Sequence, residues 1–290
     1  YLRDERHKQD QKLRLKLVKD DSAAFAALLD GREDALILES NVTQNYLYFL
    51  ERIKKMVISA DELYEAIKIL RVIDIKLDAQ DDAQMIFESL NSTGLDLSEA
   101  DKARNFILMN LRAEEQEEYY NNYWNVIEKN TDYKVSDFIR YYLAAKLAKT
   151  PAIKKVYPEF RKYVFRFFCD KDKGVFGIDS LPLFEDMLTY SKHYRTCLHP
   201  GTGISNLDHA LRSLMLFDAS VLFPFLLNLL EYRKQGSLSD DITADVLWIL
   251  DSYLFRRWAC SVPANALNKI FETLHGDVLR NLGEDESYYE

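Results

Sequence analysis

Apolar residues recur every three or four positions along most of this chain, the repeat of helices that turn one face to a core. The pattern predicts a charged helix over 3–18, with Leu13, Leu15, Leu17 and Val18 near its end. A short helix over 23–29 follows, capped by Asp21 or Ser22. A longer one over 35–57 has Tyr46, Phe49, Leu50 and Ile53 as its core face. Ser59 opens another, which carries Leu63, Ile67 and Leu70. Further helices are predicted over 114–130, 135–149, 153–168, 181–194, 207–217, 220–234, 242–258 and 264–282. Pro151 ends the second of these, because the residue before a proline avoids helical geometry. Val72-Ile73-Asp74-Ile75-Lys76-Leu77 alternates instead, the period of a half-buried strand, although it can also extend the helix before it. The expected fold class is therefore mainly α: a multi-helix array with at most a small β element near 72–77.

Composition agrees. The 290 residues hold nine Gly and six Pro, and such scarce breakers favour long helices over many turns. The chain has 18 Tyr and 16 Phe, which suits bulky contacts between helices. A net charge of −9 argues against a freestanding DNA-binding domain, but leaves room for a local basic face. Cys169, Cys197 and Cys260 form no disulfide framework and read as small apolar side chains in a reducing cytoplasm. The longest apolar run, around 214–230, is interrupted by Asp218, Pro224 and Asn228, so it reads as a buried helix pair and not a membrane span.

The most specific string is Ile86 to Leu111, IFESLNSTGLDLSEADKARNFILMNL. Ile86, Phe87 and Leu90 share one face of a short helix. Asn91-Ser92-Thr93-Gly94 breaks it, with Gly94 suited to positive φ. Ser98 is a good N-cap, and Asp101 three residues on can complete a capping box. Ala103, Phe106, Ile107 and Asn110 then recur at helical spacing. Local physics alone would make this a well-formed connection between two helices.

The full string resembles the F-E-x-L-N-S-x-G-x-x-L-S-x-x-D-x-x-R-N motif of GmrSD-like restriction endonucleases, through Phe87, Asn91, Ser92, Gly94, Leu97, Ser98, Asp101, Arg104 and Asn105. A second block, Ser252 to Arg257 followed by Val262 to Phe271, resembles that family's Y-L-x-R-R…P-T-N-x-L-N-K-x-F segment, with Ala264 in place of the usual Thr. The resemblance implies a bacterial cytoplasmic protein of anti-phage defence that attacks modified DNA. It also implies a ParB-like N-terminal domain using a nucleoside triphosphate through a D-G-Q-Q-R motif, and an HNH-like nuclease domain using a divalent metal. Neither motif is present: Asp30-Gly31-Arg32-Glu33 lacks both glutamines and reads as a loop. The chain thus reads as the central helical region of a larger enzyme, with no catalytic residue, cofactor or metal site of its own. Its expected partners are modified DNA, reached through the parent protein, and its own N- and C-terminal domains, with no membrane. The alternative is a non-enzymatic helical interaction module.

On this reading residues 1–111 complete the ParB-like domain. Residues 112–200 and 201–283 form two helical subdomains joined at His199-Pro200-Gly201-Thr202-Gly203, and 284–290 is a linker. Asn91, Ser92, Gly94 and Arg104 are the candidate nucleotide neighbourhood: a turn offers backbone N–H groups, and guanidinium binds phosphate as a fork. The same residues can equally serve only to position the next helix, with Arg104 pairing with Asp101 or Glu88. Residues 140–166 gather basic and aromatic side chains, and Arg140, Lys154, Lys155, Arg161 and Lys162 are the candidate DNA contacts. A solvated basic face over an aromatic core face is the plainer account. Arg256, Arg257, Asn265, Asn268 and Lys269 read as a structural junction, or alternatively as DNA contacts. His193, Cys197, His199 and His209 lack the ligand set that zinc requires.

Overall fold

The computed structural model describes residues 19–31, 36–56, 58–71, 86, 97–169, 177–217, 220–263 and 266–281. Among them the chain is almost entirely helical, and the nearest approach to a sheet is an isolated bridge between Cys169 and Ile178. The strand expected near 72–77 lies outside the described residues. The chain divides into two compact units, residues 1–76 and 77–290.

The first unit contains α1 (Lys19–Leu29), α2 (Asn41–Lys54) and α3 (Ala60–Lys68). Helix α2 starts six residues later than its apolar pattern begins, because Ser40 adopts extended backbone and its hydroxyl accepts from the Val42 N–H. The same hydroxyl donates to Asp21 on α1 at 2.9 Å, tying the two helices together. Among the described residues of this unit Ala24, Ala27, Ser40 and Thr43 are buried, all small enough to let α1 and α2 approach closely. This corrects the sequence expectation for α2. Apolar spacing puts Tyr46, Phe49 and Ile53 on its core face, yet they are exposed, as are Ile67 and Leu70 on and just after α3. Ser59 caps α3 in a complete capping box with Glu62.

The second unit begins, in its described part, with α4 (Glu99–Leu108). Next, α5 (Ala113–Tyr119) passes through a π-helical turn, Tyr120–Trp124, into α6 (Asn125–Asn130). Then come α7 (Val135–Leu147), α8 (Val156–Phe167), α9 (Ser180–Leu198), α10 (Ser205–Met215), α11 (Phe223–Lys234), α12 (Asp240–Ala259) and α13 (Leu267–Asn281). Helix α11 is apolar around most of its circumference, with Phe223 to Leu230 all buried. It therefore occupies the centre, packed against α7, α9 and α13. One core runs from Ala103 to Phe271, so the stretches expected as separate subdomains, 112–200 and 201–283, share it. Asn228 of α11 shows how: its amide donates to the Ala145 carbonyl on α7, and its oxygen accepts from the Tyr190 hydroxyl on α9. The loop at 199–203 lies within this unit.

One polar cluster inside the core is fully paired, whereas the buried Ser180 hydroxyl is not. The Tyr142 hydroxyl donates to Asp186 at 2.5 Å and lies 3.2 Å from the Tyr163 hydroxyl. Lys146 completes the cluster, 2.9 Å from Asp186 and 4.0 Å above the Tyr190 ring. Burial, with the nearby Asp186 charge adding to it, pushes the Tyr142 phenol well above its ordinary pKa, so it stays a donor to that carboxylate.

Candidate functional site

Helix α4 carries the second half of the most specific sequence string, and five contacts fix its start. The Ser98 hydroxyl accepts from the Asp101 N–H at 3.1 Å and donates to the Asp101 carboxylate at 2.6 Å. The Ala100 N–H donates to the Ser136 hydroxyl on α7, so a second free N–H of the first turn is satisfied from a neighbouring helix. Glu99 works in the other direction. Its carboxylate accepts the Tyr157 N–H at the start of α8, at 2.8 Å, and pairs with Lys102 at 3.1 Å. Its negative charge there also suits the α8 dipole.

One turn further on, Arg104 reaches Asp101 at 3.0 Å and Glu128 on α6 at 3.5 Å. Glu128 also accepts the Trp124 indole N–H at 2.8 Å. Of the two partners open to Arg104 in the sequence, Asp101 is used and Glu88 lies outside the described residues; Glu128 is a partner that the sequence pattern does not reveal. Ala103, Phe106 and Ile107 on the opposite face are buried. Ser98, Asp101, Glu128, Lys134, Ser136 and Asp137 line a cleft of about 280 Å³ beside α4. Its rim includes Tyr133, which with Asp132 holds positive φ, 61° and 49°. Two consecutive left-handed residues other than glycine are costly and need support. The Tyr133 N–H donates to the Glu128 carbonyl at 2.8 Å, and Asp132 lies 2.8 Å from His199.

Residues 1–108 match the family model described as GmrSD restriction endonuclease, N-terminal domain. Over that stretch the chain is similar to the N-terminal domain of GmrSD restriction endonucleases. No curated protein and no solved structure matches the chain. The GmrSD match ends at the last residue of α4, whose buried face lies in the core of the second unit. Asn91, Ser92 and Gly94 of the GmrSD motif lie outside the described residues; Ser98, Asp101 and Arg104 lie within them.

The basic segment separates into two groups. In the first, Arg140 donates through Nε to the Pro151 carbonyl at 2.8 Å, holding the turn after α7. Arg161 lies 5.4 Å from the Phe106 ring centre and 5.8 Å from that of Phe165, so its guanidinium covers the aromatic edge of the α4–α8 contact. In the second, Lys149, Lys154, Lys155 and Lys162 lie around the α7–α8 corner, with Lys149, Lys154 and Lys155 exposed and the Lys162 side chain 71% exposed. The hydrogen bond from Lys162 holds the Glu159 carboxyl below its usual range, and the nearby Lys149 and Lys155 charges act the same way. That grouping of Lys149 and Lys155 about one carboxylate is not legible in the sequence, since it needs the left-handed Ala148, φ 51°, to turn the chain.

The second sequence block forms the end of α12 and the turn beyond it. Arg257 donates to the Pro263 carbonyl at 2.5 Å and to the Tyr253 hydroxyl at 3.2 Å, and Ser261 takes a left-handed φ of 53°. Arg257 thus folds the segment back on its helix, while Asn268 and Lys269 are exposed and Asn265 lies outside the described residues. The histidines and cysteine at zinc-like spacing turn to different partners. His193 contacts Glu231 at 2.7 Å, Cys197 is buried, and His199 contacts Asp132. Among the described residues no group of three or more His, Cys, Asp and Glu is placed to hold a metal ion, and no helix is long and apolar enough to cross a membrane.

Proposed function

We propose that this chain is the coupling region of a nucleotide-dependent restriction enzyme acting on modified DNA in anti-phage defence, and that α4 is the joint. The observation behind this reading is that α4 closes the GmrSD N-terminal match while its buried face is part of the helical unit's core. On this reading a nucleotide signal from the sequence Asn91-Ser92-Thr93-Gly94, which lies outside the described residues, would enter α4 through its capped start. Glu99 then passes it to α8 and Arg104 passes it to α6. Arg104 acts here as a positioning residue. A phosphate approaching its guanidinium would compete with two carboxylates already within 3.0 and 3.5 Å.

The DNA-facing surface in this account is the lysine corner of Lys149, Lys154, Lys155 and Lys162. These side chains reach solvent, as phosphate contacts require, whereas Arg140 and Arg161 are used in packing. The nuclease domain, with its divalent metal, belongs to the parent protein on this reading, and the chain alone neither hydrolyses nucleotide nor cuts DNA.

The test is cleavage of modified and unmodified DNA by the full-length reading frame that encodes this chain, with and without nucleoside triphosphate and divalent metal. Nucleotide-stimulated, modification-dependent cleavage supports the proposal. A full-length protein that binds partners but neither uses nucleotide nor cuts DNA would favour a non-enzymatic helical interaction module.

A further inference from the structure

Helix α12 presents a stripe that the packed unit leaves uncovered. Asp245, Trp248, Ile249, Ser252, Tyr253 and Arg256 line a shallow groove along it, at the i, i+3, i+4, i+7 spacing of one helix face. Ile249 is 67% exposed, Trp248 38% and Tyr253 36%. The two aromatic side chains are held in place from behind: the Trp248 indole donates to Asn206 at 2.9 Å, and Tyr253 accepts from Arg257 at 3.2 Å. Anchored aromatics lose little conformational freedom on binding.

The stripe ends in opposite charges. Asp245 and Arg256 form no ion pair among the described residues. They stand three helical turns apart, about 16 Å along the axis, too far to pair with each other. We propose that this face is a docking surface for a second copy of the chain, in which two α12 helices pack antiparallel about a two-fold axis near Leu250 and Asp251. That operation maps the stripe onto itself. Asp245 of each copy meets Arg256 of the other, Trp248 meets Tyr253, and Ile249 meets Ser252, whose small side chain leaves room for the larger one. Each pairing therefore occurs twice, as a self-complementary interface demands. A parallel arrangement would instead place like charges together at both ends. One helix face is a small interface, so the dimer is a weak and concentration-dependent one.

Sedimentation velocity on the whole chain over a concentration series, at low and high salt, tests this. The unaltered chain should dimerise, and salt should weaken the dimer. Asp245→Arg and Arg256→Asp should each weaken dimerisation by about tenfold or more, because each places two like-charge pairs across the axis. The double exchange, Asp245→Arg with Arg256→Asp, should restore the dimer, which also shows that both positions tolerate substitution without loss of folding. A chain that remains monomeric throughout overturns the proposal, and so does one whose dimer ignores the single charge reversals or is not recovered in the double exchange. The first of these results would assign the stripe to a different occupant.

Discussion

Glu128 on α6 and Arg104 on α4 lie 3.5 Å apart, and the same Glu128 carboxylate takes the Trp124 indole N–H. One half-buried carboxylate thus joins the last helix of the GmrSD match to the helix whose π-helical turn buries Trp124. The coupling proposed for α4 would depend on the helix being gripped in this way, and each grip can be loosened separately.

The caps should be additive in part. Ser98→Ala removes the N-cap of α4 and should cost about 1 kcal/mol in chemical denaturation. Glu99→Ala removes the acceptor for the α8 N–H and should cost a similar amount, about 1 kcal/mol. Because Ser98 and Glu99 are chain neighbours at the start of one helix, although Glu99 acts on α8, the double variant should lose less than the sum. A Glu99→Ala protein as stable as its parent would show that α8 does not depend on α4.

The tyrosine cluster should be less tolerant. Tyr142→Phe withdraws the donor that Asp186 holds at 2.5 Å and leaves the Tyr163 hydroxyl without its neighbour. The expected loss is about 1–3 kcal/mol, read as a lower denaturation midpoint with an unchanged slope. A loss near zero would mean that Lys146 alone satisfies Asp186.

Acid should destabilise the second unit in part through His275. Burial against Tyr232, 5.1 Å between ring centres, lowers its pKa from 6.5 to about 4. The folded state therefore binds this proton less readily than the unfolded state. The associated stability is fully present above 6.5 and is lost as the pH falls toward about 4. His275→Phe keeps a ring beside Tyr232 and should flatten the pH dependence in that window. Parallel curves for parent and variant would contradict the role given to His275.

The lysine corner makes a prediction about salt. If the full-length protein binds DNA through Lys149, Lys154, Lys155 and Lys162, changing two of them to Gln should weaken binding across sequences. It should also reduce the slope of log affinity against log salt by about 2, since each ammonium that neutralises a phosphate releases about one counterion. Arg140→Gln should leave that slope unchanged, because its guanidinium is held on the Pro151 carbonyl.

Much of the fold is readable from the sequence, and the exceptions have physical causes. The helix order follows from period and capping, and Ser98 and Ser59 cap helices through local bonds that a sequence displays, whereas the apolar pattern runs past the Ser40 cap and starts α2 too early. The core face of α2 misleads because Tyr46, Phe49 and Ile53 have the right spacing, and spacing cannot say which apolar face finds a partner. Tertiary pairing is hidden for the same reason. Glu128 stands 24 residues from Arg104 and Ser136 stands 36 residues from Ala100, separations that no local pattern reports. The basic segment looks uniform in sequence, but packing sets Arg140, Lys146 and Arg161 against neighbouring groups and leaves Lys149, Lys154 and Lys155 facing outward.

The most direct test of the coupling role measures nucleotide hydrolysis and DNA cleavage together in the full-length protein carrying Arg104→Met and Glu128→Gln. Both partners of the pair are changed, so that neither is left facing an unpaired charge from the other. Working below the variant's melting temperature, the account predicts hydrolysis close to the parent rate and a ratio of cleavage to hydrolysis lowered by about tenfold or more. A ratio equal to the parent's, whether both activities persist or both fall together, would contradict the claim that α4 carries the signal.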